Sequence, residues 1–201
     1  MQHLTLATQN PGKLREMQAL LAAERLPIAV RSLADLGISD QADEVGETFG
    51  QNALIKAAWA ARLTSGWALA DDSGLCVDAL SGAPGIHSAR WSGAGDQANN
   101  ALLLEKLREL PASRRNARYI CAFALCDASG EQLLVEAQVE GRIAEAPRGA
   151  QGFGYDPLFE IPSWGLTFGE VDLPRKETLS HRAAAFRKLV PVLRVLSRAG
   201  D

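Results

Sequence analysis

The chain has little cysteine, and what it has is not arranged for cross-linking or zinc. Cys76, Cys121 and Cys126 are its 3 cysteines, with no C-x-x-C pair among them. An odd, scattered set suits a reducing compartment and buried packing, so the expectation is a cytoplasmic protein without disulfides. No apolar run approaches the roughly 20 residues of a membrane-spanning helix, and the first residues lack the charged-then-apolar pattern of a secretory signal. Positive charge is not in excess either, since 21 Lys and Arg against 24 Asp and Glu give a net charge of −3. A nonspecific nucleic-acid binder needs a basic face, so neither nucleic acid nor membrane is expected as a partner. Repeats and low-complexity tracts are also missing. The 47% hydrophobic and 22% charged content is that of a globular protein, and 201 residues suffice for one large domain or two small lobes sharing a sheet.

What the chain does have is alternating strand and helix patterns. His3 to Ala7 read as a short buried strand that runs directly into a helix. Asn10 suits the N-cap, Pro11 suits the first helical position, and Leu14, Met17 and Leu21 repeat at helical spacing. A short strand follows near Ile28 to Arg31, then a polar loop from Ser39 to Glu47, then a helix from Thr48 through Arg62 with Thr48 and Gln51 spaced as a capping box. Trp67 to Ala70 read as a buried strand ending at Asp71-Asp72-Ser73-Gly74. Gly82, Gly85, Gly93 and Gly95 with Pro84 make 81–95 a loop, and a leucine-rich helix is expected from Asp96 to Leu110. Ala117 to Cys126 and Gln132 to Ile143 read as a hairpin around Asp127-Ala128-Ser129-Gly130, the second strand keeping one wet face. The last helix begins near His181, and Pro191 is expected to kink or restart it. The hairpin makes the sheet mixed, in an α/β fold.

Four loops carry candidate chemistry. The turn Thr8, Gln9, Asn10, Pro11, Gly12 and Lys13 presents a helix N-terminus, with its positive dipole end, a close-approach glycine and a mobile ammonium: a natural seat for phosphate. It is not a Walker A loop, because Ala7 and Leu14 stand where that motif needs Gly and Ser or Thr. The same residues also read as an ordinary strand-to-helix connection. Asp71 and Asp72 can hold a hard cation or act as a general base, or simply form an Asp-rich turn. Successive side chains point to opposite sides of a strand, so one of the pair faces a given site. Glu44 and Glu47 offer a further carboxylate. Gly152, Phe153, Gly154, Tyr155 and Asp156 form a glycine–aromatic loop able to stack on a planar ligand, or to pack as a tight turn. Lys176 can meet a phosphate, and Arg182 beside Ser180 and His181 can offer a planar donor fork to a carbonyl.

Taken in order, these segments resemble the inosine triphosphate pyrophosphatase family (dITP/XTP diphosphatases) from Leu6 to about Lys188. Thr8 to Lys13 with Glu16 is similar to the family's T-x-N-x-G-K-x-x-E opening, and Glu44 to Phe49 with Asn52, Ala53, Lys56 and Ala57 to its second block. Ala70 to Leu75, Gly82 to Gly85 and Ser88 to Arg90 match the middle block; Phe153 to Pro157 and Ser180 to Arg182 complete the set. Val45 and Gln51 stand where the family carries Thr and Glu, and Pro174 and Arg175 interrupt a normally acidic stretch. The resemblance implies a single domain over 1–201: an elongated α/β fold around a long mixed sheet, two lobes with the nucleotide cleft between them, and a homodimer. It implies Mg²⁺-dependent hydrolysis of ITP, dITP and XTP to monophosphate and pyrophosphate. Asp72 would be the base, Glu44 and Asp72 the metal ligands. The Thr8 to Lys13 turn, Lys56 and Ser73 would hold phosphates and sugar. Phe153 would stack on the base, with Gly154 and Tyr155 in the same loop, while Asp156, His181 and Arg182 read its edge. Two other readings compete: a regulatory module that holds a purine nucleotide without turning it over, and a pyrophosphatase for modified pyrimidines or methylated bases.

Overall fold

The computed structural model describes residues 3–198. The first apolar run forms β1 (His3–Leu6), and Asn10 ends the following turn by capping α1 (Pro11–Ala23). β1 pairs in parallel with β2 (Ala29–Ser32) on one side and with β3 (Ala68–Val77) on the other, with Leu6 opposite Leu69. Sheet growth therefore reverses direction at β1. The carboxyl end of such a strand is flanked by connections leaving to opposite sides, which is where open α/β sheets bind ligands. α2 (Phe49–Thr64) precedes β3, and its Ala53, Ala57, Ala60 and Ala61 are fully buried.

The chain continues through α3 (Asp96–Leu107), β4 (Asn116–Cys126), β5 (Gln132–Ile143), β6 (Phe159–Ile161), β7 (Leu166–Thr167), α4 (Leu173–Leu179) and α5 (His181–Arg198). The seven strands lie in the order β2-β1-β3-β4-β5-β6-β7, with β5–β6 and β6–β7 antiparallel. The sheet is mixed, as the hairpin requires. Residues 3–72, 121–137 and 182–198 form one compact unit, and 73–120 with 138–181 form a second. The first unit's core joins Leu4, Leu6, Met17, Leu69, Phe123, Phe186 and Leu189. The second's joins Leu75, Val77, Leu103, Tyr119, Phe159 and Phe168.

Several boundaries differ from the expectation, each for a visible reason. β3 does not end before the aspartates but runs through them to Val77, because both carboxylates have cationic partners waiting on either face. α3 stops at Leu107 rather than Leu110, because the buried Arg115 guanidinium takes the Leu107 and Leu110 carbonyls at 3.0 Å each. α5 does not restart at Pro191 but continues to Arg198, with the flanking Leu189, Val190 and Leu193 buried. Helix α4, unforeseen, starts as helices usually do: Asp172 caps it by accepting from the Arg175 N–H at 3.0 Å, with Pro174 in its first turn.

The glycine-rich 81–95 segment is also more ordered than its composition suggests. Gly85–Arg90 forms a 3₁₀ turn, tied by Asn99 of α3. The buried Asn99 amide donates to the Ser88 and Ala89 carbonyls at 3.3 and 3.2 Å and accepts from the Ser92 N–H and hydroxyl at 2.8 and 2.7 Å. Replacing it with Ala removes these four hydrogen bonds at once, so Asn99→Ala is expected to cost about 2–3 kcal/mol. Urea unfolding checks this; a loss under about 0.5 kcal/mol, the range of an ordinary surface change, would mean the loop holds itself.

Candidate active site

At the end of β1, the first helical turn is already furnished. Asn10 Oδ1 accepts the Gly12 and Lys13 N–H groups at 2.8 and 3.3 Å, and Thr8 Oγ1 accepts the Asn10 N–H at 3.1 Å. Gln9 donates to the Ser39 carbonyl at 2.8 Å and accepts from Gln41 at 2.7 Å, which ties the turn to the polar loop. Pro11 is exposed at the first helical position and Gly12 is buried. Lys13 reaches back to β3, its ammonium 3.0 Å from Asp71 Oδ2.

Asp71 and Asp72 are adjacent on β3, both buried, and the pleat sends them to different partners. Asp71 Oδ2 takes Lys13 and also Nη2 of Arg182, at 3.1 Å. Burial opposes its charge, but Lys13 and Arg182 outweigh it and hold the carboxyl well below the usual range. Asp72 Oδ1 lies 2.8 Å from Lys56 Nζ, and Oδ2 faces the Asn52 amide at 3.4 Å. For Asp72, burial dominates and Glu44 adds to it; Lys56 offsets this only partly, so the carboxyl lies above the ordinary aspartate value. Two neighbouring carboxylates are thus pushed apart in acidity by environment alone, the pattern that separates a fixed anion from a base.

Lys56 is the hub of the second partner set. Its ammonium is 2.8 Å from Glu44 Oε1 as well as from Asp72. Burial would lower its pKa, but Asp72 and Asp71 prevail and raise it. Asn52, one turn earlier on α2, accepts the Gly46 N–H at 2.8 Å and so holds the Glu44 loop beside Asp72. Thr48 caps α2 by accepting the Gln51 N–H at 3.2 Å, while Gln51 Oε1 takes the Glu47 N–H at 2.7 Å. Gln51 therefore serves the helix start. Among the described residues, no three His, Cys, Asp or Glu side chains gather as a metal cluster. The fit to Mg²⁺ rests on Asp72 and Glu44, which converge on one cation, the Lys56 ammonium. Two carboxylates completed by water and substrate oxygens are the usual donor set for that ion.

The second unit holds the other predicted residues. Ser73 follows Asp72 on β3 and is half-buried. Asp156, expected to meet a base edge, is buried: Oδ2 accepts the Phe153 N–H at 2.9 Å and the Lys176 ammonium at 2.7 Å. Lys176, a candidate for a phosphate contact, also sits 5.0 Å from the centre of the Phe153 ring. Gly152 has φ +77°, and a Cβ there would lie 2.0 Å from Asp156 Oδ2, so only glycine fits. Asp96 accepts the Gly154 N–H at 2.8 Å, and the buried Tyr155 hydroxyl donates to the Ser88 carbonyl at 2.9 Å. His181 is buried, stacked on Tyr119 at 4.6 Å. Arg182, expected to offer a planar donor fork to a carbonyl, lies in the first unit. It is buried and donates to Glu16 and Asp71. Glu16, Asn52 and Asp96 take up contacts that the sequence alone does not assign. Glu16 stands three residues after Lys13, a spacing that puts both on one face of α1 and was the available signal.

The cluster of paired charges lies at the switch point of the sheet, the place where open α/β sheets bind ligands. The Ham1 family model matches residues 4–192, and the chain belongs to that family. A Xanthomonas campestris protein named dITP/XTP pyrophosphatase is 49% identical over 201 residues, covering 98% of this chain and 100% of the relative. One of the same name from Exiguobacterium sibiricum is 48% identical over 192 residues, covering 94% and 96%. The solved structure of a HAM1 protein from Coxiella burnetii is 40% identical with a TM-score of 0.85, covering 96% of this chain and 99% of that one.

The acidity split can be measured in the ligand-free protein. Carboxyl ¹³C shifts should show Asp72 titrating above the ordinary aspartate range and Asp71 below it. Because Asp71 is depressed, its stabilisation is present above its unfolded value and is lost only as pH falls through the lower folded one. Equal midpoints for the two residues would remove the distinction.

Proposed function

We propose that this protein hydrolyses the non-standard purine nucleoside triphosphates ITP, dITP and XTP to the monophosphate and pyrophosphate, with Mg²⁺. The broader class, a nucleoside triphosphate pyrophosphatase acting on an acid anhydride, follows from membership of the Ham1 family and from relatives named for that activity. The observation that carries the chemistry is geometric. Asp72 and Glu44 converge on one cation beside a capped helix N-terminus, while neighbouring Asp71 is committed to other partners.

In this reading Asp72 accepts the proton of the attacking water, a role that a raised pKa favours. Lys13 and the start of α1 hold phosphate oxygens by charge and dipole. Lys56 turns its ammonium to the same oxygens. Asp72 and Glu44 would hold the Mg²⁺, which when bound neutralises charge on the phosphoryl oxygens. In the second unit, the half-buried Phe153 ring supplies a stacking surface, with Asp156 and Lys176 fixing the loop beneath it. His181 belongs to the same proposed base-binding set. No covalent intermediate is needed.

Pyrophosphate release from ITP, dITP, XTP, ATP and GTP, with and without Mg²⁺, tests the reading. The first three should react fastest and only with the metal; single phosphate as product, or equal rates on ATP, sinks it. Asp72→Asn should lower kcat roughly 10²- to 10⁴-fold, the range for a lost general base, while binding falls much less. Full turnover in Asp72→Asn with none in Asp71→Asn would exchange the two roles. Phe153→Ala should weaken every nucleotide alike, by about 1–3 kcal/mol, because stacking does not depend on base identity. A loss confined to ITP would place base choice on that ring.

A further inference from the structure

Glycine stands on both sides of the Phe153 ring, at 152 and 154, and glycine by itself leaves a loop free to take many shapes. That freedom is removed one peptide plane at a time. The Phe153 N–H, in the plane between residues 152 and 153, donates to Asp156 Oδ2 at 2.9 Å. The Gly154 N–H, in the next plane, donates to Asp96 Oδ2 at 2.8 Å. The Gly154 carbonyl, in the plane after that, accepts from Asn100 Nδ2 at 3.0 Å. The φ and ψ of Phe153 lie between the first two planes, so holding both sets the direction of its Cα–Cβ bond.

Of these three anchors, Asp156 belongs to the loop itself. Asp96 and Asn100 come from the first turn of α3, on one face of it, 58 and 54 residues from Gly154 and within the same compact unit. Asn99 between them secures the Ser88 carbonyl, which also receives the Tyr155 hydroxyl, so the same helix start braces the loop from both sides of Gly154. The Asn100 amide is a poor stabiliser. Its Oδ1 is buried with no hydrogen-bond partner among the described residues, a cost that one contact to Gly154 offsets only in part.

Resting on the stacking role given to Phe153 above, we propose that Asp96 and Asn100 are positioning residues for base binding: through the two backbone groups of Gly154, the start of α3 holds the Phe153 ring in the orientation that meets the plane of a purine. Neither side chain is asked to touch the nucleotide.

The test is kcat and KM for ITP in wild type, Asp96→Ala, Asp96→Asn, Asn100→Ala, Phe153→Ala and the double variant Asp96→Ala with Phe153→Ala. Asp96 is exposed, so its replacement leaves the core intact. Asp96→Ala should raise KM roughly tenfold, about the loss of one charged hydrogen bond, with kcat nearly unchanged, because substrate and transition state lose the same stacking. Asn100→Ala should raise KM as well. Asp96→Asn keeps an acceptor oxygen and should recover most of the loss. In the Phe153→Ala background, Asp96→Ala should add almost nothing, since the ring it orients is gone. Full additivity, or a fall in kcat as large as the rise in KM, would make Asp96 a general structural support and overturn the proposal. Asp96→Asn as weak as Asp96→Ala, or Asn100→Ala with an unchanged KM, would overturn it too. A silent Asp96→Ala beside a weakened Phe153→Ala overturns it while leaving the stacking role standing. A silent Phe153→Ala instead sinks the stacking role, and the positioning with it.

Discussion

The pleat of β3 at Asp71 and Asp72 is the constraint on which the site depends. In an extended strand, consecutive side chains cannot serve the same partner. The chain therefore obtains two carboxylates with opposite duties from two adjacent residues, provided the strand continues through them, as it does to Val77. Continuation is costly, because two charged groups enter the sheet interior at 3% and 8% exposure. Cations on each side offset that cost, Lys13 and Arg182 for Asp71 and Lys56 for Asp72.

Those cations arrive by different structural routes. Lys56 reaches β3 because α2 presents Ala53, Ala57, Ala60 and Ala61 inward, and small side chains permit close approach of helix to sheet. A bulkier residue at Ala53 or Ala57 would move Asn52 and Lys56 away from Asp72 together, since all lie on one helix. Lys13 is placed by the cap on α1, where Asn10 fixes the first turn and hence the direction of every residue after it. Arg182 enters from the opposite end of the chain as the second residue of α5.

That last distance marks where sequence reading runs out. Elements set by local chemistry were legible: the Asn10 and Thr48 caps, the Gln132–Ile143 strand, and the opposite facing of Asp71 and Asp72. An Asp after an apolar run signals a turn, so the sequence predicts that β3 ends at Ala70, and the partners that keep it extended lie far away in sequence. The donor fork of Arg182 was legible as chemistry, but its direction was not. Its partners stand 166 and 111 residues away. Lys176 shows the same limit: its charge is legible, but its pairing with Asp156, 20 residues earlier, is not. Strands as short as β6 and β7 carry too few residues for periodicity to register.

Under the proposed function, the site makes a paired demand on its ligand. Lys13 is held by Asp71, Lys56 by Asp72 and Glu44, and two N–H groups of the α1 start by Asn10. A triphosphate must exchange these internal partners rather than fill a vacant seat. Drawing Lys56 away leaves Asp72 and Glu44 facing each other with uncompensated charge, which is unfavourable unless another cation arrives. An anion alone therefore satisfies the lysines and strands the carboxylates, and a cation alone does the reverse. A polyphosphate accompanied by a divalent cation meets both demands. Under the proposed function, selectivity for that combination would come from the repulsion exposed when either half is missing, as well as from the contacts made when both are present.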